Sequence, residues 1–249
     1  MSTRDVVQDI VKHTAGLGFI SSVKVTGTDT ETTLDAMDND RTVILKAKLH
    51  NAVPEFAGEF GLGNLGFLSG VSGLPNYQAD DATVEVVSRD RNGVSTPDHL
   101  LFKDAEGNTD QYRFMSKEIV EQTLQTVKFK GVEWDVVFEP TKQKVSELTQ
   151  VASIYGGIEP NFTVKTENGN LVVTVGASDG SFTGRRTFAN NVSGELNEGY
   201  AWPLSQVLAI LKLGMSGSCV MNISTKGAQM ISVDSGIGKY DYILPAMTV

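Results

Sequence analysis

A chain that repeats itself has to fold as two copies of one plan, and this chain repeats at an offset of about 141 residues. A shift of 141 carries Val7 onto Leu148, Ile10 onto Val151, Gly16 onto Gly157 and Val23-Lys24 onto Val164-Lys165. The matched positions have a shared physical role. In residues 4–16, Val7, Ile10 and Val11 fall on one helical face behind a Ser2/Thr3 cap, and Ala15-Gly16-Leu17-Gly18 ends the run. In residues 142–155 the stripe is Val145, Leu148, Val151, Ala152 and Tyr155, with Thr141 as cap and Gly156-Gly157 as stop. A second helix follows at a shift of 140, which takes Phe60 to Tyr200, Leu62 to Trp202, Leu68 to Leu208 and Val71 to Leu211; its two copies are predicted over 62–72 and 204–213.

Between the helices the apolar period falls to two. Val23–Thr26, Thr32–Met37 and Val43–Lys48 read as strands in the first half, answered by Phe162–Thr166, Leu171–Val175 and Phe182–Phe188 in the second. Gly27-Thr28-Asp29, Asp38-Asn39-Asp40, Asn168-Gly169 and Ser178-Asp179-Gly180 supply the turns. Each half closes on more strands: Thr83–Arg89, Leu100–Phe102 and Gln111–Met115, then Cys219–Ser224, Gln229–Val233 and Tyr240–Leu244. The class is α+β, with two helices per domain. Ser116–Thr126 has no partner at the repeat offset and reads as a connector with a short helix. The division is domain 1 over 1–115, connector 116–130 and domain 2 over 131–249.

Composition removes several function classes. Hydrophobic residues make up 40% of the chain, no apolar run approaches the ~18 residues of a membrane helix, and the N-terminus leads into a polar helix, so a cytoplasmic protein is expected. The one cysteine, Cys219, precludes an internal disulfide and a multi-cysteine metal site. With 30 acidic and 21 basic residues, net −9, any contact with DNA needs a locally basic face. Catalytic patterns are weak. Gly61-x-Gly63-x-x-Gly66 matches a dinucleotide fingerprint, but Pro54 and Gly58 interrupt the strand expected before it. His13, His50 and His99 lie too far apart for a metal pair; Asp38 with Asp40 and Asp80 with Asp81 read as turn carboxylates. Cys219, Trp134 and Trp202 read as core residues.

The segment Leu34-Asp35-Ala36-Met37-Asp38-Asn39-Asp40-Arg41-Thr42-Val43 resembles the strand, loop and strand of DNA sliding clamps, where an apolar-x-small-Met-Asp pattern precedes the next strand. Tyr242-Ile243-Leu244-Pro245-Ala246-Met247 resembles the clamps' terminal strand and Pro-containing tail. Leu62–Val71 is similar to the second helix of the first domain in T4-type bacteriophage clamps. Together with length, duplication and element order, the resemblance extends over essentially the whole chain and also takes in the proliferating cell nuclear antigens. It implies a duplicated DNA-clamp fold, two similar domains each with two helices packed on antiparallel sheets. It implies a closed ring without catalysis or cofactor, which encircles double-stranded DNA and tethers DNA polymerase, clamp loader and other clients. Six domains close such a ring, so a homotrimer is expected. A phage tail or virion protein, assembling as open stacks or larger rings, and a small-molecule-binding enzyme are the readings it competes with.

The same resemblance places residues. The helices would line the hole, with Arg4, Lys12, Lys142, Lys144 and Lys212 facing DNA; set against Asp5, Asp9 and Glu147 they leave the helices at +2 and the rest of the chain at −11. Client peptides would enter a pocket made by Met37 and Arg41, by Ile119, Val120 and Leu124 of the connector, and by Tyr242, Ile243, Leu244, Pro245 and Met247. Subunits would join along the strands near Asp110 and near Arg185 and Arg186.

Overall fold

The computed structural model describes residues 2–91, 93–124, 129–177 and 180–247. Parts of three sequence readings, Ser178-Asp179 of one turn, Thr126 of the connector and Thr248-Val249 of the tail, lie outside them. The chain divides into two compact units, residues 1–128 with 236–240, and residues 129–235 with 241–249.

Unit 1 runs α1 (Thr3–His13), β1 (Val23–Gly27), β2 (Thr32–Met37), β3 (Ile44–Leu49), β4 (Gly58–Leu62), α2 (Leu65–Ser72), α3 (Pro75–Gln78), β5 (Thr83–Arg91), β6 (Val94–Lys103), β7 (Thr109–Arg113) and α4 (Lys117–Thr123). Its strands pair in the orders β4-β1-β2-β3 and β5-β6-β7, all antiparallel. Helix α1 starts where the sequence says it should. Ser2 Oγ accepts from the Asp5 amide at 3.2 Å while Asp5 Oδ2 accepts from the Ser2 amide at 2.8 Å, a reciprocal cap that holds the Asp5 carboxyl below its ordinary pKa. Val6, Val7 and Ile10 of α1 meet the core alongside Leu65 and Leu68 of α2.

Unit 2 runs β8 (Val136–Phe138), α5 (Lys142–Tyr155), β9 (Asn161–Glu167), β10 (Asn170–Gly176), β11 (Thr183–Ala189), β12 (Tyr200–Pro203), α6 (Leu204–Gly214), β13 (Ser218–Ser224), β14 (Ala228–Asp234) and β15 (Gly238–Pro245), whose first residues count with unit 1. The order β11-β10-β9-β12 mirrors β3-β2-β1-β4. Thr141 caps α5, accepting from the Lys144 amide at 3.2 Å, and Asn168-Gly169 turns β9 into β10 with both φ positive, at 51° and 74°. Val145, Leu148 and Val151 of α5 and Val207, Ile210 and Leu211 of α6 are buried.

Two expectations are corrected. The predicted helix over 62–72 begins at Leu65, because Phe60 and Leu62 belong to β4; Tyr200 and Trp202 likewise lie in β12, ahead of α6. Both short strands pair antiparallel, β4 on β1 and β12 on β9, so the repeat offset was right and the element type was wrong. It follows that a strand does precede Gly61-x-Gly63-x-x-Gly66, despite Pro54 and Gly58. The glycines serve packing instead: a Cβ on Gly61 would overlap a Val120 methyl, and one on Gly63 would overlap Met115 Sδ.

Candidate functional site

The loop from β2 to β3 is built around one carboxylate. Asp38 is 3% exposed; its Oδ1 accepts from the amides of Thr42 (2.7 Å) and Val43 (2.8 Å), and its Oδ2 from the Thr42 hydroxyl (2.6 Å). The Arg41 amide closes the turn on the Asp38 carbonyl at 3.1 Å, which puts Arg41 at φ 58° with its side chain exposed. Facing this loop, α4 is fastened to unit 1 rather than left as a tether. Met115 exchanges backbone hydrogen bonds with Gly61 (2.8 and 3.0 Å), and Val120, 1% exposed, drops onto Gly61. Lys117 Nζ stands 3.0 Å from Glu59 Oε2, and their hydrogen bond holds the Glu59 carboxyl below its ordinary pKa and raises the Lys117 ammonium.

Between loop and helix lies a cleft of about 220 Å³, within unit 1. Met37, Asp38, Asn39 and Arg41 line it from the loop, Ser21 and Ser22 from the segment before β1, and Gln122, Thr123 and Leu124 from the end of α4. Three residues expected in one pocket, Met37, Arg41 and Leu124, are thus brought together. Val120 is not a lining residue but the anchor beneath, and Ile119 is half exposed on α4. The serines, Asn39, Gln122 and Thr123 carried no sequence signal, being small or polar residues typical of any loop.

The tail residues fall in unit 2. Tyr242, Ile243 and Leu244 are all buried in β15. The Leu244 carbonyl accepts from Trp202 Nε1 at 3.1 Å, which confirms Trp202 as a core anchor. Pro245 is exposed and Met247 partly so, with the Met247 amide bonded to the Ala201 carbonyl at 2.9 Å.

On the helices, Lys12, Lys142 and Lys212 are exposed and make no ion pair with a described residue. Arg4 instead donates to the carbonyls of Ala79 and Ala82, and Lys144 pairs with Glu147 at 2.8 Å. Asp9 turns inward, where its Oδ2 accepts from Tyr240 Oη at 2.7 Å; Tyr240 in turn stacks on His13 at 4.1 Å. With Asp9 buried, the solvent face of α1 is more basic than a count of its charges implies. Burial lowers the His13 pKa to about 4.

The strands expected to join subunits, β7 and β11, are both edge strands of their sheets. Their charges are already engaged: Asp110 accepts from Tyr77 Oη at 2.7 Å, Arg185 pairs with Glu167, and Arg186 Nη1 donates to the Arg185 carbonyl at 2.8 Å. Beside each edge lie large exposed apolar side chains. Phe67 of α2 stacks on Tyr112 of β7 at 6.4 Å, and Tyr155, flanked by exposed Ile154 and Ile158, lies over Gly184 of β11, just past exposed Phe182.

The described residues assemble no metal-binding group of three or more His, Cys, Asp or Glu. Cys219 is buried against Gly214, and burial pushes its thiol up to about 12, the opposite of an activated nucleophile.

Each unit sets two of its longer helices, α1 with α2 and α5 with α6, beside antiparallel strands, and solved structures of DNA-clamp fold match over the whole chain. Proliferating cell nuclear antigen (PCNA) from Thermococcus kodakaraensis matches with a TM-score of 0.70 at 11% identity, over 99% of this chain and 98% of that one. A structure described as the C-terminal region of FEN-1 bound to A. fulgidus PCNA matches at 0.68 and 11%, over 100% and 97%. PCNA from Entamoeba histolytica matches at 0.64 and 12%, over 98% and 94%. Identity this low speaks for fold. No protein-family model and no curated protein sequence matches the chain.

Proposed function

We propose that this protein is a DNA sliding clamp: three copies close a ring around duplex DNA and tether a replicative polymerase and other clients, delivered with the help of a clamp loader. The observation that carries the reading is the end-to-end match of a two-unit chain to clamp structures, with TM-scores up to 0.70 and nearly complete coverage of both partners. The likeness of Leu62–Val71 to T4-type phage clamps favours a phage-encoded member working in the host cytoplasm.

In this reading the open edges of β7 and β11 pair between copies, head to tail, which closes a ring without leaving either edge exposed. Phe67, and Ile154, Tyr155, Ile158 and Phe182, then become the buried flanks of that seam; apolar surface of this kind stabilises contacts more than surface ion pairs do. Lys12, Lys142 and Lys212 meet phosphates, with Arg4 and Lys144 held by local partners. The cleft at Met37, Arg41 and Leu124 receives client peptides, as the A. fulgidus clamp is described with a bound FEN-1 segment.

The test is topological retention. Crosslinked shut after loading, the protein should stay on a closed plasmid through a high-salt wash and slide off once the plasmid is linearised. Equal loss from circle and line would remove encirclement, because charge contacts are released by salt whatever the DNA's topology.

A further inference from the structure

We propose that the cleft selects clients that carry a carboxylate beside their apolar anchor, and that Arg41 reads it; the inference rests on the cleft being the client site. The lining offers two sizeable apolar surfaces, Met37 and Leu124, and is otherwise made of hydroxyls, amides, one guanidinium and the Asp38 carboxylate, whose oxygens are taken up within the loop. A purely apolar peptide would therefore cover polar groups without replacing their hydrogen bonds to water, which costs affinity.

Arg41 is the one cation among the lining residues, and its side chain has no hydrogen-bond or ion-pair partner among the described residues. No ion pair joins it to Asp40, its neighbour in sequence, or to Asp38, the other acid of the loop. Asp38 is 3% exposed and spends both oxygens on Thr42 and Val43. Several other cations of unit 1's sheets are matched to acids: Lys24 to Glu59, Lys46 to Asp35, Lys48 to Glu31, Lys103 to Glu85. Arg41 is left out of that pairing at the mouth of a cleft.

Its backbone is also fixed. The Asp38 network holds Arg41 at φ 58°, so the guanidinium is presented from a rigid turn, and a planar fork presented this way suits a carboxylate better than a mobile ammonium does. The rest of the surface sharpens the selection. At net −9 the chain repels acidic peptides in general, so an acidic client gains only where a cation is left unpaired.

The probes are a synthetic peptide with Phe-Leu flanked by glutamates and its twin with glutamines, titrated against the full-length protein, Arg41→Gln and Arg41→Lys, while the methyl signals of Met37 and Leu124 report where they bind. At low salt the glutamate peptide should bind about tenfold tighter than its twin, in line with one charge-assisted hydrogen-bonded pair. The ratio should shrink as salt rises, fall to about one in Arg41→Gln and survive in part in Arg41→Lys. If both peptides shift the methyls with equal affinity, the cleft remains the client site and carboxylate selection is overturned. A glutamate preference that persists in Arg41→Gln would overturn Arg41 as its reader. If neither peptide moves either methyl, the client-site reading itself falls, and this inference with it.

Discussion

Strand β4 in unit 1 and strand β12 in unit 2 occupy the same place in their sheets, and each receives the chain that follows its unit's last strand. Met115 bridges to Gly61, and Met247 bridges to Ala201. The connector and the tail are thus counterparts, which no fixed offset in the sequence reveals. What differs is the strand beneath. Gly61 and Gly63 leave a trough that takes Val120 and Met115, so the chain goes on as α4 and forms one wall of a cleft. Ala201 and the buried Trp202 leave no such trough, and the tail is held by main-chain bonds from Ala246 to Gly227 (2.7 Å) and Met247 to Ala201 (2.9 Å). Two missing side chains decide which unit acquires a docked helix.

Filling the trough is the harshest way to break this contrast. Gly61→Val should collide with Val120 and destabilise the protein by about 3 kcal/mol, the scale of overpacking a tight core site, seen as a fall in the urea midpoint. Adding Val120→Ala should recover part of that loss, a non-additivity expected only of residues in contact. A second way uses acid. At a shift of 141, His13 of α1 corresponds to Ile154 of α5, but His13 is buried against Tyr240 and Asp9, while Ile154 is exposed. The folded-state pKa of His13 is lowered to about 4 from 6.5, so the unfolded chain takes up the proton first. Its contribution is present above pH 6.5, is lost as pH falls toward 4 and levels off below, for a total on the order of 3 kcal/mol. Urea unfolding across that range should show the slope, and His13→Gln should flatten it. The smallest effect is expected at the tail. Ending the chain before Pro245 removes two backbone hydrogen bonds and should cost about 1–2 kcal/mol in the same assay, leaving peptide affinity at the cleft unchanged. A large loss of peptide binding would instead join the tail to the client site.

Much of the fold was legible because its signals are local. Period-two runs placed most of the longer strands to within a few residues, and the caps at Ser2 and Thr141 placed α1 and α5. Strands β4 and β12 were misread because four or five residues with apolar side chains at Phe60, Leu62 and Trp202 fit either period, and only their partners β1 and β9 settle the matter. Of the candidate site, Met37 and Arg41 could be named from a clamp-like segment and Leu124 from its place in the connector. The inward turn of Val120, Tyr242, Ile243 and Leu244 could not, since an apolar residue in a connector or tail reads the same whether it faces a peptide or a core. Nor could a charge count show that Asp9 leaves the surface of α1, because its partner Tyr240 lies at the far end of the chain.

Mass in solution, measured by light scattering across a dilution series at moderate salt, tests the clamp reading most directly. The account predicts one species of three times the 26.8 kDa chain mass, which gives way to monomer on dilution with no larger assemblies. A monomer or dimer at every concentration, or an open-ended ladder of masses, would contradict a ring closed by three chains.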